Sequence, residues 1–232
     1  APQVTLEGNV TGIAFSLDGS RLVASGCTKA DSESFTCEQG GVSVWDTTSY
    51  EQIGETRQIH DNHVWDVSFS PDGSLLATAS WDNTIQLWDT TTWQTSGEPL
   101  AEHTDFVWSV DYSPDGSMLA SGSRDTSIIL WNIATRKSIA TLHGHGSSVY
   151  RANFSPDGSL LASSSADGTV RLWDVASGQA IGNDPIPGLV GILGNNALSP
   201  DGNFLLVGGT DPPVGLIFDL RFEQWRETAC KL

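Results

Sequence analysis

Three histidines are each followed, 18, 22 and 28 residues later, by a hydroxyl residue, an aspartate and a tryptophan. His60 leads to Thr78, Asp82 and Trp88; His103 leads to Ser121, Asp125 and Trp131; His145 leads to Ser163, Asp167 and Trp173. A hydroxyl, an imidazole and a carboxylate are the parts of a nucleophilic hydrolase, where the imidazole takes the hydroxyl proton and the carboxylate orients the ring. Three tandem copies argue against that chemistry, because an enzyme needs one activated nucleophile. Other chemistry is not signalled. There is no glycine-rich phosphate loop between a strand and a helix, and no metal-ligand spacing; His143 and His145 are two apart, but His145 already belongs to a repeated set.

The elements that must position these residues recur with them. SPDGSLLATASWDNTIQLWD (70–89) returns as SPDGSMLASGSRDTSIILWN (113–132) and as SPDGSLLASSSADGTVRLWD (155–174). Weaker copies start at SLDG (16–19), leading to VSVWD (42–46), and at SPDG (199–202), leading to GLIFDL (215–220). Within one unit, FVWSVDY (106–112) alternates like a strand. Ser113-Pro114-Asp115-Gly116 reads as a turn, with Pro presetting φ and Gly tolerating a positive φ. MLASGS (118–123), SIILW (127–131) and SIATL (138–142) read as three further short strands. No segment carries a convincing helical period.

Self-similarity at this period, closed by Trp-Asp, resembles the WD40-repeat family, and most closely the regular repeats of prokaryotic and fungal members associated with signalling NTPases. The likeness runs over nearly the whole chain. It implies an all-β fold, a WD40-type β-propeller of five repeats at about 9–59, 60–102, 103–144, 145–188 and 189–221, each a four-stranded antiparallel blade, in one domain spanning 1–232. The segment 222–232 resembles the tail after the last repeat in that group. PQVTLEG (2–8) is expected to close the ring, with Val4–Leu6 pairing beside 215–220 as the missing fourth strand of the last blade. In the family the repeated tetrad is a structural chain of hydrogen bonds from Trp to hydroxyl to His to Asp. The outer units lose it. The fifth has Leu189, Val207 and Phe218 at the His, hydroxyl and Trp positions and keeps Asp211; the first has Ala24 and Gln39 at the hydroxyl and Asp positions and keeps Trp45.

Function is then expected on the surface, on the face carrying the loops that enter the first strand and leave the second. The resemblance carries its positions onto Trp81, Arg124 and Ala166 before the tetrad aspartate, onto Trp65, Trp108 and Tyr150 after the first valine of the outgoing strand, and onto His63, Phe106 and Ser148 two residues earlier. The equivalent residues of the first and fifth units, such as Thr11 and Gly194, are blander. The candidate binding residues are Trp65, Trp81, Phe106, Trp108, Arg124, Tyr150 and His63, the aromatic and arginine types that dominate interaction hot spots. They are expected on one face with several ring faces exposed. The competing reading is that the repeated tryptophans pack between blades. Trp93, in TTTWQT, reads as a turn residue on the outer edge.

A net charge of −17 with 11 basic residues offers no footprint for a phosphate backbone or an anionic membrane, and favours a protein or peptide partner with a basic patch. The expected role is a non-enzymatic scaffold or sensor without cofactor or metal, part of a larger signalling protein. The alternatives are a split propeller completed by another chain, or an enzyme with a pocket in the channel. The chain starts at Ala, without a visible signal peptide, which suggests a processed or partial protein. Three cysteines do not make a disulfide framework, so a cytoplasmic setting is the default. Cys27 and Cys37 bracket a polar insertion of the first unit, CTKADSESFTCEQGG (27–41), expected to be an exposed loop. They are open to either a disulfide clip or two reduced thiols.

Overall fold

The computed structural model describes residues 9–30, 37–182, 186–187, 193–210 and 213–221. Among these there are strands and turns and no helix, and so none long and apolar enough to cross a membrane. Five antiparallel sheets follow one another along the chain. The first holds β1 (Asn9–Phe15), β2 (Arg21–Ala30), β3 (Cys37–Asp46) and β4 (Arg57–His60) in sequence order. The second holds β5 (Val64–Phe69), β6 (Leu75–Ser80) and β7 (Ile85–Asp89); single bridges from Ile85 to Leu100 and from Trp88 to Thr95 stand where a fourth strand would run. The third holds β8 (Val107–Tyr112), β9 (Met118–Ser123), β10 (Ile128–Asn132) and β11 (Lys137–Leu142), the strands expected there to within a residue. The fourth holds β12 (Val149–Phe154), β13 (Leu160–Ser165), β14 (Thr169–Asp174) and β15 (Gln179–Ala180), with β16 (Ile186–Pro187) also on β14. The fifth holds β17 (Leu193–Leu198), β18 (Phe204–Thr210) and β19 (Pro213–Asp219). These are the blades of an all-β fold of the β-propeller type. The closing strand at Val4–Leu6, the fifth unit's Leu189 and Asp211 and the tail 222–232 lie outside the described residues.

The chain forms two compact units, Ala1–Val110 and Asp111–Leu232, divided within β8. In the first, Val23, Val42 and Val44 of one sheet meet Val64, Val67, Leu76 and Trp88 of the next. In the second, Ala120, Ile128 and Leu130 meet Val149, Ala152, Phe154, Leu161 and Trp173, and Ala162, Val170 and Leu172 meet Leu205 and Val207. The second strands of the second, third and fourth blades are buried on both faces, which is why they read Leu-Ala-Thr-Ala-Ser, Leu-Ala-Ser-Gly-Ser and Leu-Ala-Ser-Ser-Ser. Small side chains let the sheets approach, and apolar burial stabilises them by roughly 25 cal/mol per Å2.

The SxDG turns repeat atom for atom. Ser70 Oγ donates to Asp72 at 2.6 Å, Asp72 accepts the Ser74 N–H at 3.0 Å, and Ser70 Oγ accepts the Leu75 N–H at 2.9 Å. The same three bonds close the turns at Asp18, Asp115, Asp157 and Asp201. Gly73 takes φ +71°, as the sequence requires of it. The aspartate of each Trp-Asp pair serves a second turn: Asp89 accepts the N–H groups of Thr91 and Thr92 at 3.0 and 2.7 Å.

Two expectations are corrected. The first-unit insertion is not all loop: β2 and β3 run ten residues each, so much of it lengthens the hairpin. Thr28 Oγ1 donates to the Gln39 carbonyl at 3.0 Å, Lys29 pairs with Glu38 at 2.6 Å, and Cys27 is bonded to Cys37, which together hold a ribbon that polarity alone would have marked as loop. Trp93 does sit in a turn, with φ +55°, but its ring is buried in the first unit's core rather than on an outer edge. Arg21 and Arg57 lie over it at 5.7 and 5.4 Å.

Backbone of the loop before β5 lies against this hairpin. A Cβ on Gly40 would overlap the Asn62 carbonyl oxygen and press on the Val64 nitrogen at 2.8 Å. Gly40→Ala is expected to cost about 1–3 kcal/mol, the price of forcing packed backbones apart. Gly73→Ala, which meets nothing but must keep a positive φ, is expected to cost about 1 kcal/mol. Urea unfolding of both variants checks the order; a milder loss at Gly40 would contradict it.

Candidate functional site

The residues with the look of catalysis are the repeated tetrads. Trp88 Nε1–H donates to Thr78 Oγ1 at 3.1 Å, Thr78 Oγ1 meets His60 Nε2 at 2.8 Å, and His60 Nδ1 meets Asp82 at 2.7 Å. The fourth blade repeats it: Trp173 to Ser163 at 2.8 Å, Ser163 to His145 at 2.7 Å, His145 to Asp167 at 3.0 Å. In the third, Trp131 Nε1–H donates to Ser121 Oγ at 2.9 Å. Asp can only accept, so His carries its proton on Nδ1 and its Nε2 accepts from the hydroxyl, which in turn accepts from the indole. Thr78, Ser121 and Ser163 are fully buried, so no substrate reaches the oxygen a hydrolase would use.

Burial opposes ionisation of Asp82, but the hydrogen bond and charge of His60 and the donors of Thr84 outweigh it and hold the carboxyl below its ordinary value. At Asp167 burial is likewise outweighed, by Thr169, the Gly146 N–H and His145, and the carboxyl falls to about 2. Burial pushes His145 below the ordinary imidazole value, against the pull of Asp167. In the first blade Ala24 leaves no hydroxyl, and Trp45 Nε1–H has no partner among the described residues.

The predicted surface residues fall into two groups. His63, Trp65, Trp81, Phe106 and Trp108 belong to the first unit and form one ring cluster. Trp81 is stacked on Trp65 (centroids 5.0 Å, 16° between planes) and on Phe106 (5.0 Å, 7°). Trp108 stands edge-on to Trp65 at 4.8 Å and to Trp81 at 5.3 Å. His63 leans on Trp65 at 5.7 Å and on Trp81 at 5.3 Å. Arg124, which is exposed, and Tyr150, half-buried, belong to the second unit and occupy the equivalent positions of their own repeats.

The expectation of exposed ring faces is corrected. Trp65, Trp81, Phe106 and Trp108 are half-buried and His63 is only 5% exposed. Trp81 is covered on both faces, and its indole N–H is buried without a partner among the described residues. The rings reach each other because the outgoing strands do not alternate plainly. Register shifts between Val64 and Asp66, so Trp65 is an extra, bulged residue. Tyr150, Thr11 and Gly194 sit in the same bulge of β12, β1 and β17. A bulge re-aims its side chain, here toward the turn that carries Trp81, whose backbone N–H donates to the His63 carbonyl at 3.0 Å.

Sequence reasoning missed one constellation: both Cys27 and Cys37 sulfurs and a His63 ring nitrogen lie within 4.8 Å of one another. The cysteine spacing matched no ligand motif, and the signal was only that the two cysteines bracket an insertion.

Sheets of this kind with these tetrads define the WD40 repeat class, and comparison with known families agrees. The family described as "WD domain, G-beta repeat" matches residues 1–46, 54–89, 95–132 and 136–174, well over half of the chain, which therefore belongs to the WD40 repeat family. Domains of this family are typically non-enzymatic interaction domains. Among individual proteins, the chain is similar to the guanine nucleotide-binding protein subunit beta of Zea mays, 38% identical over 80 residues. That match covers 33% of this chain and 18% of the maize protein, so the chain spans under a fifth of the relative's length.

Two outcomes follow from this geometry. Trp131→Ala removes a buried indole together with its hydrogen bond to the Ser121 hydroxyl, at an expected cost of about 3–5 kcal/mol. Phe218→Ala, at the same repeat position with no polar chain behind it, is expected to cost about 1–2 kcal/mol. Equal losses on chemical unfolding would mean the networks do not carry the blades. Acid should also unfold the protein in two stages. His145 and His63, the latter depressed by burial alone, titrate below the ordinary 6.5 when folded, so the unfolded chain binds more protons and stability falls as pH drops from there through the folded values. Asp167 stabilises fully above 3.8 and loses its contribution as pH falls towards about 2. The melting temperature should decline below about pH 6.5 and again below about pH 4. Asp167→Asn should flatten the second decline; an unchanged slope would contradict its assignment.

Proposed function

We propose that this chain is a non-enzymatic scaffold or sensor domain that binds a protein or peptide, within a larger signalling protein in the cytoplasm. The observation that carries the binding reading is the first-unit ring cluster. Five aromatic or imidazole side chains gather at the bulge and turn where this family makes contacts, and four of them (Trp65, Trp81, Phe106 and Trp108) keep part of their surface accessible. Rigid stacked indoles lose little side-chain entropy on binding, the property that makes tryptophan a hot-spot residue. Trp81 acts from beneath, as the ring the others lean on. Arg124 and Tyr150 are proposed as the matching contacts of the following repeats, Arg124 as an exposed guanidinium for a carboxylate or ring. The charge of −17 favours a partner with a basic patch and disfavours nucleic acid and anionic membrane.

The test selects peptides from a random library on the intact chain and measures their affinity by titration. Selected peptides should carry Lys or Arg beside apolar residues, and binding should weaken with salt. Trp108→Ala and Trp65→Ala should each lose about 2 kcal/mol or more of affinity while circular dichroism stays unchanged. Trp81→Ala should lower the melting temperature as well. Folded Trp65→Ala and Trp108→Ala variants that bind as tightly as the parent would overturn the site.

A further inference from the structure

The lengthened hairpin of the first blade carries a feature its siblings lack. Cys27 lies in β2 opposite Gly40, and Cys37 lies in β3 opposite Ala30. Their Cα atoms are 5.7 Å apart and their sulfurs are bonded. Because Gly40 has no side chain, the backbone from Asn62 to Val64 runs directly against this part of the hairpin and delivers His63 to it. The His63 ring is held by Trp65 and Trp81, it is 95% buried (5% exposed), and its Nε2 has no hydrogen-bond partner among the described residues. A buried imidazole nitrogen left unpaired costs free energy, and such groups need an explanation. Here the explanation lies close by, since both sulfurs and a ring nitrogen of His63 fall within 4.8 Å of one another. None of the three takes part in a tetrad.

We propose that, in its reduced form, this group is a zinc site with Cys27, Cys37 and His63 as ligands. A dithiol or a phosphine breaks the sulfur–sulfur bond, supplying two electrons; a dithiol also supplies the two protons and leaves as its own disulfide, whereas a phosphine leaves as its oxide, taking the oxygen from a water molecule whose two protons go to the sulfurs. The thiols so formed are accommodated, because the Lys29 carbonyl oxygen lies 3.3 Å from the Cys27 sulfur and the Gln39 carbonyl oxygen 3.1 Å from that of Cys37. Zinc then displaces both thiol protons and binds two thiolates and a neutral imidazole. Zinc–sulfur and zinc–nitrogen bonds of about 2.3 and 2.0 Å set ligand atoms about 3.4–3.8 Å apart in a tetrahedron. Once the sulfur–sulfur bond is broken, both cysteine side chains are free to rotate toward that spacing. The fourth position is left for water or a partner's side chain. Oxidation rebuilds the disulfide and removes both thiolates, so metal uptake follows the thiol state.

The test uses the intact chain, reduced with tris(2-carboxyethyl)phosphine, and cobalt(II) as a visible probe that zinc then displaces. The reduced chain should take up one equivalent of cobalt with sulfur-to-metal charge-transfer and tetrahedral ligand-field bands, and the oxidised chain should take up none. Cys27→Ser and Cys37→Ser should abolish the charge-transfer band of the paired thiolates. Cys230→Ser should leave it unchanged. His63→Gln should weaken zinc binding, measured against a chromophoric chelator, about tenfold or more. The unsubstituted chain carries the decision even if a variant folds poorly. A reduced chain without the charge-transfer band overturns the proposal, as does a band that survives loss of both cysteines. A folded His63→Gln chain with parental affinity removes His63 from the site and overturns it too.

Discussion

A fully buried hydroxyl that must be satisfied from two sides is the constraint on which each complete blade rests. Thr78 and Ser163 lie on second strands packed on both faces, where water cannot reach them. The hydroxyl accepts from an indole on the third strand and donates to an imidazole from the incoming segment (the end of β4 for His60, a loop for His145), whose other nitrogen is fixed by an aspartate in the turn. Four segments of the chain are thereby tied to one oxygen. In a low dielectric such a network is strong when complete and costly when broken. The first blade shows the incomplete case: Ala24 removes the oxygen, and the Trp45 N–H is left over among the described residues.

What could be read from the chain, and what could not, divides along the range of the interaction. The turns were legible because Ser, Asp and Gly act within five residues of one another. The tetrads were legible because a spacing of 18, 22 and 28 residues recurs three times. The bulge at Trp65 was not. Strand alternation places a side chain on one face or the other, and only the paired strand reveals the extra residue. For the same reason the exposure of the rings was overestimated, since the stacking of Trp81 between Trp65 and Phe106 depends on distances between turns and strands far apart in sequence. Trp93 looked like an edge residue by its neighbours' polarity, yet a positive φ turns it inward over the core. The insertion after Gly26 looked like a loop because its composition is polar; the cross-strand bonds that make it a ribbon leave no mark on composition.

In the function proposed above, the ring cluster serves packing and recognition at once. Its inner rings lean on one another and on the bulged strand, so their positions are set before any partner arrives. Its outer edges remain partly open. A surface built this way presents a few large side chains in fixed orientations, on a chain whose net charge of −17 acts over distances up to a Debye length, about 8 Å at physiological salt.

The tetrad has one further consequence. Its four members lie within a stretch of 29 residues that begins at the histidine, as from His60 to Trp88 and from His145 to Trp173, and the next period starts afresh 42 or 43 residues on. A piece of chain cut at this period, from one histidine to just before the next, carries its whole polar network with it. Copying such a piece into the gene would add a blade whose buried groups are already matched, with no compensating change required elsewhere. A cut between the histidine and its hydroxyl residue, as between His60 and Thr78, would separate the imidazole from its hydroxyl and leave both orphaned. Similar central copies flanked by worn outer ones are what growth by that unit would leave behind.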